Sequence, residues 1–102
     1  MTQLTAQQAV AKAATGEITV LDVREASEVQ QTGRAQGALH IPLALVALQA
    51  AEKMDKATPV AVYCAMGGRA ERAAQALRDL GYDAQNIGGI GDWVSAGGAL
   101  SR

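Results

Sequence analysis

The sequence predicts an α/β fold, a small parallel β-sheet flanked by helices on both faces. Two runs carry the strand reading: "ITVLDV", Ile18 to Val23, and "PVAVYC", Pro59 to Cys64. Both are near-continuous and apolar, rich in β-branched residues, as strands buried on both faces of a parallel sheet are. Segments with helical spacing of apolar residues alternate with the strand-like runs through short connections, which implies right-handed crossovers. Each clear run also carries a polar or reactive residue, Asp22 or Cys64, at its carboxyl end. In open parallel sheets ligands bind outside the carboxyl ends of the strands, so chemistry is expected there. The 102 residues suffice for one modest core, and a single domain over 1–102 is expected.

Taken in order, Thr5 followed by Gln8 forms a capping box, and Leu4, Ala9, Val10 and Ala13 supply one apolar face, which predicts a helix over 5–14 ended by Gly16. After the first strand, "REASEVQQTG" reads as a short polar helix closed by Gly33, and "GALHIP" as a brief strand stopped by Pro42. A Leu- and Ala-rich helix is predicted over 43–54. Beyond the second clear strand, Ala70, Ala73, Ala74, Leu77 and Leu80 mark the inner face of a helix starting near Arg69, with Gly81 just past its end. "DAQNI" is a weak last strand, and "GGIGDWVSAGG" holds one short helix carrying Trp93, read as a packing residue.

Composition excludes several classes of function. A formal net charge of -1 without a block of like charges advertises no nucleic-acid surface. One cysteine rules out an internal disulfide, and one cysteine with one histidine, His40, falls short of a zinc-ligand set, so neither metal nor cofactor is expected. The N-terminus lacks a basic start followed by an apolar stretch, and no apolar run approaches ~18 residues, so no membrane association and a cytoplasmic location are expected.

Cys64 sits between a buried strand and the glycine pair Gly67 and Gly68. Such a pair lets the backbone of "CAMGGR" curl until successive N–H groups aim at one point, naturally the Cys64 sulfur. The positive end of the following helix and the charge of Arg69 are expected to favour the thiolate, the reactive form. The competing reading is a small buried cysteine that only packs.

"CAMGGRA" resembles the active-site loop of the rhodanese family of sulfurtransferases, Cys-x-x-Gly-x-Arg-Ser/Ala, with Cys64, Gly67, Arg69 and Ala70 in place. Three further stretches resemble the family pattern in the same order: "LDVRE" from Leu21, "GALHIP" from Gly37 and "GGIGDW" from Gly88. The likeness spans essentially the whole chain. Three departures stand out: Arg34 in place of a common histidine, Val29 in place of a common aromatic, and one extra residue in 28–33.

The resemblance implies a rhodanese-like fold and a sulfur transfer. Cys64 would attack the outer sulfur of a donor such as thiosulfate, release sulfite, and pass the sulfur from a persulfide to a thiol or cyanide. A protein could also serve as sulfur donor or acceptor. The substrate-binding loop would be Ala65, Met66, Gly67, Gly68, Arg69 and Ala70, whose N–H groups stabilise a persulfide anion without a general base. His40 then has a structural role. Arg69 has two available roles, contact with the donor's anionic group or pairing with an acid that locks the loop. Asp22 and Arg24 are candidates for bracing that loop. Tyrosine and dual-specificity phosphatases resemble the arrangement but use a longer loop than the four residues between Cys64 and Arg69.

Overall fold

The computed structural model describes residues 4–102; Met1 to Gln3, part of the segment read above for a leader, lie outside the described residues. The elements run α1 (Ala6–Ala14), β1 (Thr19–Asp22), α2 (Ala26–Thr32), β2 (Arg34–Ala35), β3 (Leu39–His40), a 3-10 turn (Leu43–Leu45), α3 (Val46–Lys53), β4 (Val60–Cys64), α4 (Gly68–Asp79), β5 (Ala84–Gly89), α5 (Ile90–Ser95) and β6 (Leu100–Ser101). The main sheet has the order β3-β1-β4-β5 and is parallel throughout.

Alternation along the central strands decides which helices cover which face. Leu21, Val23, Val60, Val62 and Cys64 pack with Val46 and Ala50 of α3 and with Ala70, Ala73, Ala74 and Leu77 of α4. Val20, Ala61, Tyr63 and Ile87 point the other way, onto Ala9 of α1 and Trp93 of α5. Small alanines on the helices allow close approach to the sheet. Trp93 is the large packing residue of its face, and its indole N–H donates to the Ala99 carbonyl at 2.8 Å.

Local signals hold at the predicted helix ends. The Gln8 N–H donates to Thr5 Oγ1 at 3.1 Å and the Thr5 N–H to Gln8 Oε1 at 2.9 Å, closing the predicted capping box. Gly33 caps α2 as expected.

Four features differ from the sequence reading. The stretch 43–54 is not one helix, because the Leu43 N–H bonds the Val23 carbonyl and the Leu45 N–H bonds Pro42, forcing a tight turn before α3. Leu80 caps α4 and is 39% exposed instead of lining its inner face. The strand at "DAQNI" continues through Gly88 and Gly89, with Gly89 paired beside Cys64 after a register shift. A two-stranded antiparallel sheet, β2 with β6, was not legible in the sequence, since each strand has two residues and pairs across most of the chain. Among the described residues no helix is long and apolar enough to cross a membrane.

Candidate active site

Cys64 ends β4, and its side chain is 1% exposed. The chain then turns sharply: Gly67 takes φ 113°, a left-handed conformation that favours glycine, and becomes the N-cap of α4. This turn brings backbone donors onto the sulfur. The Gly67 N–H lies 3.0 Å from Cys64 Sγ and the Ala70 N–H 3.4 Å. Burial pushes the thiol up, but N–H groups of Ala70, Gly67, Met66 and Arg69 outweigh it, and the net shift of Cys64 is downward. Met66 stands at the crest of the loop with 91% of its surface exposed. Gly68 already lies inside α4 without a positive φ and has open space around it, so only Gly67 of the pair is required by the turn.

The wall of the loop comes from β5 and the turn into α5. Asn86 Nδ2 donates to the Gly67 carbonyl at 3.0 Å, and Asn86 Oδ1 accepts from the Gly88 N–H at 2.8 Å. A Cβ on Gly89 would overlap the Ala65 carbonyl oxygen, so glycine is needed for the close approach of the two segments. Asn86 escaped the sequence reading, and its one signal is a polar side chain inside the strand "DAQNI".

Arg69 turns to Glu28 of α2. Its Nη1 and Nη2 donate to Glu28 Oε1 and Oε2 at 2.6 and 2.8 Å, a two-pronged pair. Hydrogen bonding from Arg69 and from the Glu25 N–H lowers Glu28 to about 2. The Arg69 guanidinium is raised chiefly by Glu28, with a smaller contribution from the charge on Cys64. Of the two roles open to Arg69, pairing with an acid is the one realised here. The leading donors to the sulfur are backbone amides, in keeping with the curled loop expected from the sequence. Glu28 was not singled out in the sequence, where an acid on a short polar helix reads as a solvated face.

Asp22 and Arg24 are buried beneath the opposite face, 0% and 2% exposed. Arg24 Nη2 donates to Asp22 Oδ2 at 2.7 Å and to the Gly33 carbonyl at 2.8 Å, while Nη1 reaches Thr32 Oγ1 at 2.8 Å. The Tyr63 hydroxyl donates to Asp22 Oδ2 at 2.7 Å and accepts the Ala35 N–H at 2.8 Å. The Arg24 guanidinium is raised first by its hydrogen bond to Asp22, and the Tyr63 hydroxyl is raised by burial. None of these bonds reaches residues 65–70. The pair therefore fixes the end of β1 to the end of α2, the helix whose Glu28 pairs with Arg69. His40 Nε2 meets the Arg24 carbonyl at 2.7 Å, a structural position.

Around Cys64 the arrangement offers a deep sulfur, donors aimed at it and an exposed loop crest. This suits an anion formed on, or bonded to, that sulfur. Among the described residues no cluster of three or more His, Cys, Asp or Glu could hold a metal ion.

Comparison with known proteins agrees with this geometry. A rhodanese with anions from E. coli is 36% identical over 72% of this chain and 88% of that one, with TM-score 0.66. A rhodanese-related protein from Thermoplasma volcanium is 26% identical, covering 99% and 98% of the two chains at TM-score 0.82. A protein of unknown function from Rhodopseudomonas palustris, described as a possible tyrosine phosphatase, is 24% identical over 99% and 85% at TM-score 0.83, a likeness of fold alone. A search of curated proteins gave no match. The profile of the rhodanese-like domain matches residues 5–96, nearly the full length over which the sheet, the cysteine loop and the Arg24 network are built, and the chain belongs to that family.

Proposed function

We propose that the protein is a sulfurtransferase that moves a sulfane sulfur from thiosulfate or a related persulfide donor to a thiophilic acceptor through Cys64. The observation that carries this reading is the Cys64 sulfur, buried at a strand end with the Gly67 and Ala70 N–H groups 3.0 and 3.4 Å away. The thiolate attacks the outer sulfur of thiosulfate, a new S–S bond forms, and the old S–S bond breaks with its electron pair leaving as sulfite. A thiol or cyanide then attacks the terminal sulfur of the Cys64 persulfide and regenerates the thiolate, a two-step transfer with ping-pong kinetics. No general base is required, since the amides hold the sulfur as an anion in both states. The four-residue spacing from Cys64 to Arg69 suits a single sulfur atom better than a phosphate that must bond through all its oxygens. We place the reaction in the cytoplasm, where a free thiol stays reduced.

Intact mass tests the proposal. After thiosulfate, the native protein should gain one sulfur atom and lose it on addition of cyanide, while Cys64→Ser, still folded, should gain none. A gain on the variant, or none on the native protein from either thiosulfate or a persulfide donor, would sink the reading. A second reading, a sulfur carrier that works only with a protein partner, is favoured by one observation: the apolar Met66 at 91% exposure on the loop crest. Slow loading by thiosulfate beside fast loading by a protein persulfide would select it.

A further inference from the structure

We propose that the groove alongside α2, on the face of the sheet away from Cys64, is a second binding site, one that takes a small organic anion bearing a phosphate or carboxylate. The groove has a volume of about 380 Å³. Arg34, Arg102, His40, Gln30 and Ser101 supply its polar lining, and Ala26 and Val29 an apolar wall. Among the described residues no carboxylate side chain lines it.

Position separates this groove from the cysteine loop. His40 pairs in register with Asp22, and Asp22 with Tyr63, so these side chains share one face. Tyr63 packs on the α1 and α5 side while Cys64 packs on the α3 and α4 side. The β2–β6 pair builds the edge of the groove, because Arg34 stands opposite Ser101 and Arg102 runs on from Ser101 past Gly33.

Charge names the ligand. Ion pairs among the described residues engage Arg24, Arg69 and Arg78, and none engages Arg34 or Arg102. His40 is already tied to the Arg24 carbonyl and serves as wall, leaving the two guanidinium groups as the anion receptors. A guanidinium bonds a carboxylate or phosphate through two parallel N–H donors. The volume falls within the range of small-molecule pockets and exceeds the need of a bare inorganic ion. Arg34 is also the residue that departs from the histidine common in the family, and the sulfur chemistry leaves it without a task.

The inference does not rest on sulfur transfer, and neither does its test. The full chain, labelled with 15N, is titrated at fixed ionic strength with AMP, glucose 6-phosphate, citrate and inorganic phosphate. At least one organic anion should give saturable shifts at the amides of Val29, Gln30, Ala35 and Ser101. Arg34→Gln should weaken that binding at least tenfold with the rest of the spectrum preserved. Lys53→Gln, which removes the same charge on α3, should leave it unchanged. Shifts that do not saturate for any of the four, shifts confined to 65–70, or an equal loss in Lys53→Gln would overturn the site. Inorganic phosphate binding as tightly as the organic anions would overturn the assignment of an organic ligand.

Discussion

Tyr63 and Cys64 are neighbours on β4, both buried, yet they belong to opposite kinds of structure. The Tyr63 hydroxyl, Asp22 and Arg24 form a network in which side chains satisfy one another, and among the described residues no buried side-chain nitrogen or oxygen lacks a partner. Among the described residues the hydrogen bonds to Cys64 come instead from the backbone, with Gly67, Asn86 and Gly89 shaping the turn. Side-chain networks in a low-dielectric interior lock a fold, because every member depends on the others. Backbone donors aimed at one sulfur occupy no side chain and leave that sulfur its free valence. One strand thus separates anchoring from reactivity by the two-residue period of β structure.

The largest expected effect comes from breaking the anchoring side. Arg24→Ala leaves the Asp22 carboxylate buried without its guanidinium partner and should cost about 3–5 kcal/mol in urea unfolding. Arg24→Lys, which keeps the charge but loses the forked donors, should cost less and remain folded. In the folded fraction of either variant Cys64 should alkylate at the native rate, since no bond of Arg24 reaches 65–70. A slowed alkylation in native buffer would merge the two regions that the comparison holds apart.

Glu28 tests the bridge between them. Glu28→Gln releases Arg69, and with both side chains about a third exposed the loss should be about 1 kcal/mol or less at neutral pH. Glu28 is lowered in the folded protein to about 2. Its contribution is therefore present above the unfolded carboxylate value of about 4.3, and is lost as pH falls toward 2. The stability gap between native protein and variant should close over that window in acid unfolding. Because amides supply the main donors to the sulfur, the midpoint of Cys64 alkylation against pH should move by only a few tenths of a unit. A rise of a full unit would give the Arg69 charge the leading role.

Legibility in the sequence followed the range of each interaction. Strands buried on both faces announce themselves in "ITVLDV" and "PVAVYC", and a capping box closes over three residues, so β1, β4 and α1 could be read locally. Cys64 and its loop could be read because the turn, the amide donors and the cysteine are contiguous from 64 to 70. The β2–β6 pair, the hold of Glu28 on Arg69 and that of Asn86 on Gly67 join residues far apart in the chain. Such partners depend on the packed topology, and a solvated glutamate has the same local signature as a bonded one. Leu80 illustrates the same limit, since the periodic inner face of α4 runs one residue past the point where the helix ends.

The smallest expected effect comes from Gly68, the second member of a glycine pair that the sequence presents as a unit and the fold divides. Gly67 needs its left-handed backbone, and Gly67→Ala should cost about 1–2 kcal/mol and slow Cys64 alkylation as the N–H groups lose their aim. Gly68 occupies a helical position with nothing within 4 Å of an added Cβ. Gly68→Ala should therefore stabilise the protein by about 0.5 kcal/mol in thermal or urea unfolding, through the lower entropy of the unfolded chain. Both sulfur loading and alkylation should match the native protein. If loading fails while alkylation is normal, Gly68 serves a motion of the loop during transfer, and backbone freedom belongs beside the amide donors as part of the chemistry.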